Sequence, residues 1–151
     1  MSRDEHRQAK LLTRLREARL ASANRALVEA RRAAEEADAQ LRAAEAEANG
    51  ADARLLRHRG GLAADPVDPP AQLALVDRSL FLQAVARSAS NDAAEALRLC
   101  EQAEQERRRA MILARARRDL MADHARGLGR RAAAQREERS QAEAQERRTR
   151  V

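Results

Sequence analysis

Residues 59–70 read RGGLAADPVDPP. This stretch holds two of the five glycines and all three prolines of a 151-residue chain. On either side lie more than fifty residues with no proline and no obvious turn cluster. Breakers gathered in one place predict two long helices joined once. Gly60 and Gly61 are positioned to end the first helix in the left-handed conformation. Asp68 is placed to cap the second helix, and Pro69 suits its first position, where no N–H is required.

The flanking composition agrees. Apolar residues make up 44% of the chain, but most are alanine, and Phe81 is the only aromatic side chain. Large aromatics usually dominate core burial, so a thick globular core is not expected. Charged residues reach 36%, and Ala, Glu, Arg and Leu dominate, a composition typical of long helix or coiled coil.

Leu20, Leu27, Ala34, Leu41, Ala48 and Leu55 recur every seven residues. Each of the first five is followed three residues later by Ala23, Ala30, Ala37, Ala44 and Ala51. Five heptads of this pattern predict a coiled-coil face. Leu11, Leu12 and Leu15 fall outside the frame and predict a local register shift near the N-terminus. In the second half, Leu82, Ala89, Ala96, Ala103 and Ala110 are spaced by seven, with Val85, Leu99, Leu113 and Leu120 as companions, interrupted by Asp92 and Glu106. Two matched runs around one break predict an all-α fold, a long antiparallel two-helix coiled-coil hairpin with a longer second helix.

The expected single domain has helix 1 over about 3–59, a loop over about 60–68, helix 2 over about 69–126 and a basic overhang over 127–151, each arm roughly 85 Å long. Facing layers then total about 133, stacking Ala23 on Ala110, Ala30 on Ala103, Ala37 on Ala96 and Ala44 on Ala89. The alternative, about 126, brings Leu27 to Leu99 and Leu41 to Val85; the heptad repeat alone permits both. Gly127 and Gly129 mark the point where helix 1 is expected to run out.

The charge balance is +6, almost all of it arginine. Such a balance is compatible with nucleic acid, an anionic membrane or an acidic protein. Residues 107–118, RRRAMILARARR, are basic, but acids are interleaved along both arms and there are no stacking aromatics, so no nucleic-acid partner is expected. A single cysteine, Cys100, excludes an internal disulfide and favours a reducing, cytoplasmic setting. Cys100 itself is expected beside the seam. No apolar run is long enough to form an integral membrane segment.

His6 and His124 are expected to approach each other at the open end. No carboxylate or cysteine cluster surrounds them, so neither a metal site nor a cofactor is expected. There is no phosphate loop or nucleophile elbow, and a two-helix rod offers no concave pocket, so the chain reads as a non-enzyme.

Within the segment SLFLQAVARSA, residues 79–89, Phe81, Leu82, Gln83 and Val85 form an aromatic–aliphatic–Gln group followed by an aliphatic residue. In this motif and in its hairpin architecture the chain resembles the FliJ/YscO family. Its members are central stalk proteins of bacterial flagellar and type III secretion ATPases, similar in fold to the coiled coil of the rotary ATP synthase gamma subunit. The Ala- and Arg-rich bias points toward a GC-rich bacterium with an Hrp-type system. The resemblance implies two partners, a hexameric secretion ATPase and the cytoplasmic domain of the export gate, with secretion chaperones as further candidates and a peripheral place at the cytoplasmic face of the apparatus. By position it assigns Phe81, Val85, Ser88 and Asp92 to the gate, although Asp92 also falls on the heptad seam. It assigns Arg7, Lys10, Arg14, Arg126, Arg130 and Arg131 to the ATPase ring. Two other readings stand beside it: a self-associating coiled-coil scaffold or chaperone, and a basic nucleic-acid-associated protein.

Overall fold

The computed structural model describes residues 2–64 and 67–149. Among them every element is helical: α1 spans Ser2–Ala64 (63 residues) and α2 spans Pro69–Thr149 (81 residues), and the two pack against each other. Asp4 and Glu5 sit in the first turn of α1 and Arg147 and Arg148 in the last turn of α2, each with the sign that the helix dipole favours.

The start of α2 follows the sequence. The Asp68 carboxylate accepts the Ala71 N–H at 3.3 Å, and its carbonyl accepts the Gln72 N–H at 3.0 Å. Pro69 opens the helix without needing a hydrogen bond. The end of α1 does not follow it. Gly60 and Gly61 are helical, no glycine has a positive φ, and α1 continues to Ala64. Two helical glycines cost about 1 kcal/mol each relative to alanine, and the extra turn places Leu62, half-buried, in step with the heptad face of α1.

The chain divides into two compact units, residues 28–106 and residues 1–27 with 107–151. In the first unit α1 contributes Ala34, Ala37, Ala48, Ala51 and Leu55, all buried, in the frame that the heptads predict. The protected residues of α2 are Gln72, Val76, Ser79, Gln83, Ala86, Ser90, Ala93, Leu97, Cys100 and Glu104. That series also alternates steps of three and four, but it lies one residue later than expected. Leu82, Val85 and Leu99 are 40–53% exposed, and Ala89, Ala96 and Ala103 are exposed too. The expected stacks of Ala30 on Ala103, Ala37 on Ala96, Ala44 on Ala89, and Leu41 on Val85 are therefore absent. The buried cluster of Ala48, Ala51 and Ala86 gives the reason. These methyl groups let the helices approach closely, and Leu82 or Val85 in the same place would hold them apart. The residue numbers of Ala48 and Ala86 total 134, those of Arg31 with Glu104 and of Asp52 with Gln83 total 135, and those of His58 with Ser79 total 137.

In the second unit Ala9 and Leu27 of α1 are buried, with His6, Thr13, Arg16, Leu20 and Ala23 partly covered. These positions keep the same heptad frame. The expected register shift is absent, and Leu11, Leu12 and Leu15 are about half exposed. From α2 come Met111, Ala114, Arg118, Met121, Ala125, Leu128 and Ala132, whereas Ala110, Leu113 and Leu120 are exposed. Ala23 therefore does not stack on Ala110. Arg118 Nε lies 2.8 Å from Asp119 Oδ1, a charge contact too poorly aligned to count as a hydrogen bond. Protection reaches Ala132, so the overhang expected from residue 127 begins at 133; residues 133–149 are helical and exposed throughout.

Two measurements check this arrangement. Leu55→Ala is expected to cost about 2–3 kcal/mol in urea unfolding and Leu99→Ala under about 1 kcal/mol; equal losses would return Leu99 to the seam. Gly60→Ala and Gly61→Ala should each add up to about 1 kcal/mol, because a Cβ at either position meets nothing. A loss of stability on these substitutions would show that the glycines terminate the helix.

Candidate interaction site

The four residues assigned to a gate contact lie on α2 at steps of four, three and four, so they share one helix face. Phe81 is 68% exposed and Val85 50%, and Ser88 and Asp92 are exposed as well. Asp92 lies outside the seam, because the seam on α2 is one residue later. Phe81 lies outside the seam series of α2 and is mostly exposed. Leu80 and Leu82 beside it are also above a third exposed.

A groove of about 500 Å³ opens next to this face, within the same unit. Leu75, Leu82, Val85 and Ala89 of α2 form its apolar wall, and Glu47, Arg54 and His58 of α1 form the polar one. Arg54 is held by Glu47 at 3.0 Å.

Polar links cross the seam of this unit. His58 Nδ1 lies 2.5 Å from Ser79 Oγ, a contact with one buried partner, Ser79. The Gln83 amide donates to Asp52 Oδ1 at 2.6 Å, with Arg87 3.2 Å from the same oxygen. Arg31 Nε donates to Glu104 at 3.3 Å. No sequence signal singled these out, since each joins residues far apart in the chain. The Asp52 carboxyl is held below the ordinary aspartate range, first by the Gln83 hydrogen bond and then by Arg87. Glu95 is lowered by its hydrogen bonds from Arg98, a one-turn pair on the outer face.

The six basic residues assigned to an ATPase ring, Arg7, Lys10, Arg14, Arg126, Arg130 and Arg131, all lie in the other unit and are all exposed. Arg126 is paired with Asp123 one turn earlier. His6 of α1 lies against α2. Its ring packs on Gly129, where a Cβ would stand 2.9 Å from Cε1, so a larger residue there would make the His6 ring shift. His124 is exposed and borders a cleft of about 390 Å³ with Glu5, Leu12 and Met121. Cys100 is half-buried within the seam. Among the described residues no three metal-binding side chains gather, and no helix is long and apolar enough to cross a membrane.

No family model, no curated protein and no solved structure matches this chain.

Asp52 provides a pH test of the seam. Its folded pKa lies below its unfolded one. Its stabilising contribution is therefore complete above the ordinary aspartate range and is lost as pH falls through the lowered folded value. Gln83→Ala should raise the Asp52 pKa, read from its carboxyl carbon chemical shift. An unchanged titration would show that the Gln83 bond does not form in solution.

Proposed function

We propose that this chain is an antiparallel coiled-coil hairpin with a longer second helix, serving as the central stalk of a bacterial type III secretion or flagellar export ATPase. It works at the cytoplasmic face of the export apparatus. Its exposed α2 face, Phe81, Val85, Ser88 and Asp92, docks on the cytoplasmic domain of the export gate. Its basic side chains Arg7, Lys10, Arg14, Arg126, Arg130 and Arg131 meet the loops of the hexameric ATPase ring. The observation that carries the reading is Phe81. The one aromatic residue of the chain stands two-thirds exposed near the start of α2, outside the seam series. Aromatic anchors of this kind dominate binding energy in protein interfaces.

The reading assigns separate physics to its two contacts. Binding at Phe81 is apolar and insensitive to salt. Binding through the arginines is electrostatic and weakens as ionic strength rises, the Debye length being about 8 Å at physiological salt.

Phe81→Ala is expected to reduce affinity for the isolated gate domain at least tenfold while changing unfolding free energy by less than about 0.5 kcal/mol, as for an ordinary surface substitution. Charge reversal at Arg130 and Arg131 should weaken ring binding and its stimulation of ATP hydrolysis, leaving gate binding intact. If the wild-type chain binds neither the ring nor the gate domain, the stalk reading falls.

A further inference from the structure

The outer face of α2 within residues 75–106 is a second heptad series, one residue ahead of the seam. It runs through Leu75, Arg78, Leu82, Val85, Ala89 and Asp92 to Ala96, Leu99, Ala103 and Glu106, alternating steps of three and four, and every member is exposed. A pattern of this period on a helix already paired through its other face calls for another helix. We propose that this stripe is a homodimer interface, in which α2 pairs antiparallel with α2 of a second copy about a two-fold axis near Ser90 and Asn91.

The occupant is identified by two features of the stripe, its paired leucines Leu82 and Leu99 and its opposite charges Arg78 and Glu106, which meet when the stripe lies against its own reverse. In a two-fold antiparallel pair, facing residue numbers total a constant, here 181. Leu82 then meets Leu99 of the second copy, Val85 meets Ala96, and Ala89 meets Asp92. Leu82 on Leu99 gives one large apolar layer on each side of the two-fold axis, with Val85 on Ala96 inside it and Asp92 beside Ala89 at the centre. Arg78 faces Ala103 and lies one turn from Glu106 of the second copy. Among the described residues neither Arg78 nor Glu106 has an ion pair within the chain, so both charges are open for this contact. The methylenes of Glu106 cover Leu75, and its carboxylate reaches Arg78. The groove beside the stripe, about 500 Å³ between α2 and the Glu47–Arg54 edge of α1, gives the incoming helix room to seat.

This inference does not rest on the stalk reading, but it bears on it. Val85 and Asp92 belong to both faces, so a dimer formed this way covers half of the gate-docking residues. The dimer and the gate complex would exclude each other.

Sedimentation equilibrium of the full chain decides the matter without any secretion component. The wild type is expected to sediment at twice the chain mass as concentration rises. Leu82→Glu should keep it monomeric. Because that change adds a charge near the seam, a gentler pair accompanies it. Arg78→Glu and Glu106→Arg, both on exposed side chains, should each weaken dimerisation about fivefold or more, since the two-fold axis doubles the effect of a pair that is modest on its own. The combined swap should restore the wild-type constant to within about threefold, which a merely structural role would not do. In a Cys100→Ser background, chains carrying Leu82→Cys should cross-link to chains carrying Leu99→Cys and not to their own kind. A wild type that stays monomeric at every concentration overturns the proposal. So does a dimer indifferent to Leu82→Glu and to both charge reversals, and so does cross-linking of Leu82→Cys chains with each other, which marks a parallel pair.

Discussion

The contact of Ala48 and Ala51 with Ala86 sets the terms for the unit formed by residues 28–106. Three methyl groups are a thin core, and alanine burial supplies far less transfer free energy per layer than leucine does. What alanine gives instead is distance. With no side chain beyond Cβ on either helix, the axes approach closely enough for short polar groups to reach across, as Gln83 does to Asp52 and His58 to Ser79. Dispersion between the two backbones rises with the same closeness. The seam therefore draws its stability from proximity and its register from a few directed polar bonds.

Polar groups inside the seam make the pairing specific. The buried Ser79 hydroxyl and the half-buried Gln83 amide, moved along by one heptad, would lose His58 and Asp52, and in one direction Ser79 would meet Ala51. An unpaired polar group under cover costs more than a made bond returns. An all-alanine seam would tolerate sliding, because every layer resembles the next. One or two positioned hydrogen bonds remove that freedom, in the way a single polar core residue fixes register in other paired helices.

The same logic explains what could and could not be read from the residues. The α1 frame was legible, because Leu20, Leu27, Leu41 and Leu55 stand on the buried side with alanine between them. The cap at Asp68 and Pro69 was legible too, because capping depends on local chemistry. On α2 the rule that large apolar residues mark the seam misplaced it by one position. Leu82, Val85 and Leu99 mark a different face, and between Val76 and Leu97 the true seam is written in Ser79, Gln83, Ala86, Ser90 and Ala93, small or polar residues with a weak hydrophobic signal. Their partners lie on α1, so only the fold reveals their role. The end of α1 was misjudged for a related reason. Gly60 and Gly61 read locally as a stop, but their cost is small beside that of ending the helix before Leu62 is covered. Of the candidate contacts, the shared face and exposure of Phe81 and Val85 follow from spacing alone. The meeting of His6 with Gly129 could not be anticipated, since glycine reads as a helix breaker until a ring is seen resting on it.

One helix carrying two heptad series separates folding from association. The series through Ser79, Gln83 and Ala86 is narrow, polar and committed to α1. The series through Leu82, Val85 and Leu99 is apolar, outward and unused within the chain. Large apolar groups on an exposed, regular stripe are a liability in a protein that works alone. Their retention at heptad spacing is therefore a property of what α2 meets outside its own chain. The acids at Asp92 and Glu106 sharpen this. They interrupt the stripe where an indiscriminate sticky face would carry leucine, favouring helices that leave the carboxylates hydrated or bring a base within reach. Selectivity of that kind is a mark of an interface and not of an incompletely buried core.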